Sequence, residues 1–258
     1  MTQKGETFVG REAELKQIFE ALKNGKHILL FGEKGCGKTA LANEFVKQVS
    51  QKNPKTKILF STASASLKDT CIELIGCLYR QGLLVKIPKI LQTFDSALPW
   101  EKVQWQYAKL RTTVLRNLVL NNIRAQKNVV ILDHLGKLKL KYFVFLDNLR
   151  DCAKLFLIVR SPQKEEVGRL WMMLWGFEKV EVKSFNPDET KRLASHWLDR
   201  MPENSKWVRE ILRVSHGNPG ILHGLCDEIR KQNTSIGTVM NVKIANIDRQ
   251  ITEFMKMK

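Results

Sequence analysis

The chain has 258 residues, 43% of them hydrophobic and 27% charged, an ordinary globular composition that excludes a disordered or collagen-like polymer. Its 43 Lys and Arg outnumber its 26 Asp and Glu to give a net charge of +17, and a field of that size favours polyanionic partners, nucleic acid first among them. The excess is concentrated: residues 101–150 hold ten basic and three acidic residues and residues 51–100 hold seven and three, whereas residues 151–200 are nearly balanced at nine and eight.

At roughly 100 to 200 residues per domain, the length fits a core domain with a small appendage. Five cysteines, an odd number without a CxxC pair, suggest neither a disulfide framework nor a zinc ribbon. The N-terminal segment has no apolar h-region, and no apolar run approaches the ~20 residues of a membrane span. A reduced, cytoplasmic setting without membrane association is therefore expected.

In chain order, an opening helix carries Leu15, Ile18, Phe19 and Leu22 on one face. His27 to Phe31 reads as a buried strand, Thr39 to Val49 as a helix, Lys57 to Ser61 as a second strand, and a helix follows through Ile72, Ile75 and Leu78. An insertion broken by Pro88 and Pro99 leads into one long helical pattern with Val103, Tyr107, Leu110, Val114 and Leu118 on its apolar face. Lys102, Lys109 and Arg116 recur every seven residues along that pattern, which places them together on an exposed face. Val129 to Asp133, Leu155 to Val159 and Lys179 to Val182 are three more short apolar strands. Between the last two, Trp171 and Trp175 with Met172, Met173 and Leu174 read as a core stripe. After Pro187 the pattern is wholly helical, with helices at Pro187 to Asp199, Ser205 to Val214 and Pro219 to Arg230.

Strands alternating with helices predict an α/β fold, a three-layer core with a parallel five-stranded sheet over residues 1–182, plus a C-terminal helical lid over 183–258.

Gly32-Glu33-Lys34-Gly35-Cys36-Gly37-Lys38-Thr39 is a full GxxxxGK[ST] phosphate-binding loop, following a predicted strand and opening a predicted helix. Small residues let backbone N–H groups of Gly32, Lys34, Gly35, Cys36, Gly37 and the first helical residues through Ala40 wrap phosphates, while Lys38 reaches the terminal phosphates and the Thr39 hydroxyl ligates Mg²⁺. The helix dipole adds its field at the same end. Cys36, beside Lys38 and a helix N-terminus, is a candidate redox-sensitive thiol. About 90 residues on, Val129-Val130-Ile131-Leu132-Asp133 fits the second nucleotide motif, an apolar strand whose terminal Asp133 holds Mg²⁺ through water. The next residue is His134. A neutral imidazole can accept a proton but lacks the charge and reach of a glutamate, so slow hydrolysis is expected.

Phe8-Val9-Gly10-Arg11-Glu12-Ala13-Glu14-Leu15 closely resembles the FVGRE-x-EL motif of AAA+ and STAND ATPases. The resemblance implies that Phe8, Val9 and Arg11 pack against the adenine of ATP. It also implies that Arg160 or Ser161 at the tip of the fourth strand senses the γ-phosphate. Phe185 to Glu189 looks like the opening of the helical lid, and Gly217-Asn218-Pro219-Gly220 like its GxP turn, with Pro219 at the nucleotide. The sensor-2 arginine of the origin-recognition branch has no counterpart, since Gly220 occupies its place, and Arg169 is the nearest candidate for an arginine finger. A core plus lid of this size is similar to the ATPase regulators of DNA transposition.

That resemblance and the charge imply an ATP- and Mg²⁺-dependent adaptor that forms a homo-oligomeric ring or filament on duplex DNA. Candidate phosphate contacts are Lys102, Lys109, Arg111 and Arg116 in the insertion and Lys137, Lys139 and Lys141 after the Asp133 strand. The alternative is a STAND-type signalling switch with protein partners and no DNA, which the GNPG turn favours.

Overall fold

The computed structural model describes residues 8–63, 66–85, 98–123, 128–197, 206–231 and 239–255. The short apolar runs become strands β1 (His27–Phe31), β2 (Lys57–Ser61), β3 (Asn128–Leu135), β4 (Lys154–Val159) and β5 (Phe177–Glu181), which form one sheet in the order β2-β3-β4-β1-β5. All four neighbouring pairs are parallel. The carboxyl ends of β3, β4 and β1 therefore lie side by side, the edge at which α/β sheets bind ligands.

Helix α1 (Glu12–Lys23) precedes the first strand; parallel pairing requires crossovers, and helices α2 (Lys38–Lys52), α3 (Leu67–Arg80), α4 (Trp100–Ala108), α5 (Thr112–Ile123) and α6 (Leu140–Arg150) supply them. They cover both faces, so Ile28, Leu29 and Leu30 of β1 and Val130, Ile131 and Leu132 of β3 are fully buried. On one face Phe45 of α2 sits 5.5 Å from Phe156 and 5.3 Å from Phe19. Ser66 starts α3 by accepting the Asp69 N–H. The β4–β5 connection is a one-turn helix α7 (Lys164–Val167) followed by a 3-10 helix, Arg169–Gly176. Among the described residues no helix is long and apolar enough to cross a membrane.

The chain divides into two compact units. The sheet unit comprises Ala13–Gly32 and Leu41–Glu181; the second comprises Met1–Glu12, Glu33–Ala40 and Val182–Lys258. The second unit is built on α8 (Pro187–Trp197), α9 (Lys206–Ser215), α10 (Pro219–Lys231) and α11 (Val239–Met255), around buried Leu193, Ile211, Leu222, Leu225, Cys226 and Val242. Val9 and Phe185 pack against that cluster. Asn186 and Glu189 start α8 with a reciprocal box, each side chain accepting the other's backbone N–H at 2.9 Å.

Several expectations are corrected. The long insertion helix is two helices, because the chain turns at Lys109 to Arg111 between α4 and α5; the heptad-spaced Lys102, Lys109 and Arg116 share no single helix face. The last strand begins two residues early, at Phe177, where the 3-10 helix ends and pairing with His27 begins. Trp171 and Trp175 are not core: the 3-10 turn buries Leu170, Met173 and Leu174 and leaves both tryptophans exposed. Helix α11 was not anticipated; Val242 and Ala245 are buried along it. Pro88, Asp199 and Ser205 lie outside the described residues.

Candidate functional site

The phosphate loop leaves β1 after Phe31. Gly32 continues the pairing by donating its N–H to the Arg160 carbonyl at 3.2 Å. Gly35 (φ +85°) and Gly37 (φ +94°) then take left-handed conformations that side chains resist.

Within the second unit, all four carbonyls from Glu33 to Cys36 accept hydrogen bonds. Lys38 Nζ donates to the Glu33 oxygen at 2.7 Å, and Asn218 Nδ2 to that of Lys34 at 2.9 Å. The Gly220 N–H donates to the Gly35 carbonyl at 2.9 Å, and Arg11 Nη2 to the Cys36 carbonyl at 3.1 Å. In a trans peptide the N–H points opposite to the preceding carbonyl. Tying these oxygens therefore turns the N–H groups of Lys34, Gly35 and Gly37 away from the donors. The negative ends of the peptide dipoles are neutralised, while donors suited to an anion are kept as a set.

Two of the clamps are themselves clamped. Arg11 is buried, stacks its guanidinium 4.3 Å from the Phe185 ring centroid and also donates to the Lys183 carbonyl. Its guanidinium is thus committed to the protein's own backbone and to Phe185. Asn218 caps α10, its Oδ1 accepting the N–H groups of Gly220 at 3.0 Å and Ile221 at 3.2 Å, with Pro219 in the first helical position. Close approach forces the glycines of this turn: a Cβ on Gly220 would lie 2.9 Å from Gly35 Cα, and one on Gly217 2.1 Å from the Phe185 oxygen. Gly220, standing where a sensor-2 arginine was sought, meets the loop with its backbone instead. Phe8, Val9, Lys38, Thr39 and Pro219 are half-buried, and Lys34 and Ala40 exposed. Cys36 is 1% exposed, which shields its thiol from the oxidants a redox sensor must meet.

At the sheet's carboxyl edge, Asp133 is 1% exposed and its Oδ1 accepts the His134 N–H at 2.7 Å. His134 has φ +57°, where β3 slips register between Leu132 and Leu135, so its side chain swings outward and is 72% exposed. Its Nε2 lies 3.7 Å from Asp133 Oδ2. Arg160 is exposed after β4, and Ser161 Oγ accepts the Gln163 N–H at 3.3 Å.

The basic candidates separate. Lys102, Lys109, Arg111, Lys137, Lys139 and Lys141 are exposed, with Lys109 Nζ 4.1 Å over the Trp105 ring. Arg116 is half-buried and its Nε is buried without a hydrogen-bond partner, a poor phosphate contact. Arg169 is exposed at the start of the 3-10 helix. The Asn218 clamp was missed in the sequence, although an Asn before a Pro at a helix start is a cap signal.

A five-stranded parallel sheet with a phosphate loop after its first strand defines a P-loop NTPase. The AAA ATPase domain family matches residues 7–158, and the chain belongs to that family. Solved structures agree in fold. The Walker-type ATPase PABY2304 of Pyrococcus abyssi superposes with TM-score 0.62 at 15% identity over 98% of this chain and 75% of that one. The ORC1 protein of Aeropyrum pernix, solved in complex with DNA, gives 0.61 at 12% over 94% and 66%. Domain III of the Thermotoga maritima replication initiation protein DnaA gives 0.56 at 16% over 94% of both chains. No curated protein matches the sequence.

Proposed function

We propose that this AAA ATPase binds ATP with Mg²⁺, hydrolyses it slowly, and uses the bound nucleotide to switch an oligomer onto DNA that it presents to a partner. The observation that carries the nucleotide part is the fourfold tying of the loop carbonyls, which supports a loop whose remaining N–H groups suit an anion. Lys38 neutralises charge on the transferring phosphoryl group, and the Thr39 hydroxyl and Asp133 carboxylate hold the metal. Their hard oxygens suit Mg²⁺, which typically keeps several waters and takes one or two protein ligands plus phosphates. The metal supplies Lewis-acid charge to the phosphates. His134 takes the position from which a base would orient water, and Arg160 or Ser161 reads the γ-phosphate.

The DNA part rests on the +11 carried by residues 51–150 and on the exposure of Lys102, Lys109, Arg111, Lys137, Lys139 and Lys141. That ORC1 of the same fold was solved with DNA adds support. Fluorescence anisotropy with labelled duplex DNA, with and without a non-hydrolysable ATP analogue and across a salt series, tests the reading. Tight binding that requires the analogue and falls steeply with salt is the expected result. Binding that is absent at low salt, or indifferent to nucleotide, overturns the adaptor role and leaves a signalling switch.

A further inference from the structure

The 3-10 helix Arg169–Gly176 buries Leu170, Met173 and Leu174 and presents the opposite side to solvent: Trp171 is 41%, Met172 52% and Trp175 79% exposed. The two indole rings hold each other edge to face with centroids 5.9 Å apart. Leaving so much aromatic surface in water costs free energy, and a contiguous patch of this kind marks a contact site.

Its neighbours identify the class of contact. A bridge between Leu138 and Gly168 brings the segment after β3 against the start of the 3-10 helix, and a Cβ on Gly168 would lie 3.7 Å from Lys137 Cα. Helix α6, which follows Lys139, packs on the same 3-10 helix. Exposed Lys137, Lys139 and Lys141 thus belong to segments that pack on the 3-10 helix or its start, and exposed Arg169 opens that helix. Residues 136–176 as a whole carry eight cations against four acids, Glu165 and Glu166 of α7 being the nearest two in sequence. A second copy bringing the same face would set these cations against one another. Duplex DNA offers phosphates but keeps its base faces stacked inside. A single strand offers both phosphates and free π faces, the combination that aromatic platforms with basic surrounds take up.

We infer that this face is a stacking platform for unpaired nucleotides, with bases on Trp171 and Trp175 and phosphates on Lys137, Lys139 and Lys141. The inference rests on the nucleic-acid reading above and specifies the strand state it recognises.

The test uses the full chain with the ATP analogue and measures anisotropy of a labelled 20-nucleotide oligo-dT and of a labelled 20-base-pair duplex. For Trp171→Ala/Trp175→Ala, oligo-dT affinity falls at least about 10-fold, within the range of one to two lost stacks, while duplex affinity changes less than about 2-fold. Trp171→Phe/Trp175→Phe restores most of the loss, and Lys139→Glu/Lys141→Glu weakens binding and flattens the salt dependence of what remains. An unchanged melting temperature and unchanged nucleotide binding establish that the variants fold. If the alanine pair leaves oligo-dT binding intact, or weakens both probes equally, the platform is refuted while the duplex-adaptor reading stands. Wild-type binding to duplex but never to oligo-dT has the same consequence. Binding of neither probe refutes both readings. If instead the wild type is dimeric by sedimentation and the alanine pair monomeric, the face joins copies of the chain and the inference fails.

Discussion

The phosphate loop and the tip of β3 carry the two nucleotide motifs, yet they are built differently. The loop is fixed from far along the chain: Arg11 lies 25 residues from Cys36, and Asn218 184 residues from Lys34. At the tip, Asp133 is met by its own neighbour, His134, whose backbone takes a left-handed conformation and whose side chain stands in solvent. The loop is thus held through tertiary structure, whereas His134 is set by the local backbone geometry of the β3 tip. On the proposed roles, affinity and turnover should therefore separate under mutation.

The largest effect belongs to the loop. Lys38→Ala removes the cation meant for the terminal phosphates, and ATP affinity measured by calorimetry should fall at least ~100-fold, as expected for a charge-assisted contact worth about 3 kcal/mol. Gly35→Ala should approach that loss, since its Cβ would lie 2.5 Å from Asn218 Oδ1 at φ +85°. Wild-type affinity in either variant would show that the loop does not carry nucleotide binding.

Next comes the clamp. Asn218→Ala loses both the α10 cap and the donor to the Lys34 carbonyl, whereas Asn218→Asp keeps the cap and loses only the donor. If the side chain acts on the loop, Asp retains most of the melting temperature while ATP affinity falls roughly 5- to 30-fold, the worth of about 1–2 kcal/mol. Should affinity follow melting temperature in both variants, Asn218 is a helix cap and nothing more.

At the weaker side, Asp133→Asn should lower Mg²⁺-dependent turnover more than ~10-fold with a smaller change in ATP affinity. His134→Glu should raise turnover several-fold at unchanged affinity, because a carboxylate can orient water where the exposed imidazole does so poorly. Equal loss of binding and turnover in Asp133→Asn would mean that the two motifs do not divide their work.

The sheet and the loop were legible in the sequence because each is a local pattern: β1, β2 and β4 match their apolar runs, and GxxxxGKT sits between strand and helix. What escaped depends on distance or on geometry without a period. Nothing near Arg11 in the sequence reveals that its guanidinium turns inward to Cys36 and Lys183. The Trp171 and Trp175 stripe fits a 3.6-residue helix, but Gly168 at φ +57° starts a 3-10 turn that carries both rings outward. Lys109 to Arg111 likewise hides a break that no proline or glycine announces.

The last expected effect is on stability rather than activity and comes from the opposite end of β1. His27 accepts the Leu155 N–H on Nδ1 at 3.0 Å and packs 5.1 Å from Phe177, so the fold needs its imidazole neutral. Burial, then the nearby Lys154 and Arg150, bring its pKa down to about 4 from 6.5. The unfolded chain takes up this proton below about pH 6.5 and the native one only near 4. The stabilisation is therefore complete above pH 6.5 and drains away as pH falls towards 4. Because the ring is only half-buried, the loss should be on the order of 1–2 kcal/mol rather than the full linkage value. His27→Asn keeps an acceptor without the titration, so between pH 6.5 and 4.5 its melting temperature should fall less than the wild type's. Parallel curves would place the acid sensitivity elsewhere. Because the phosphate-loop motif follows the other end of β1, ATP affinity at pH 7.5 should be the same in both proteins, and a difference there would show that β1 transmits strain along its length.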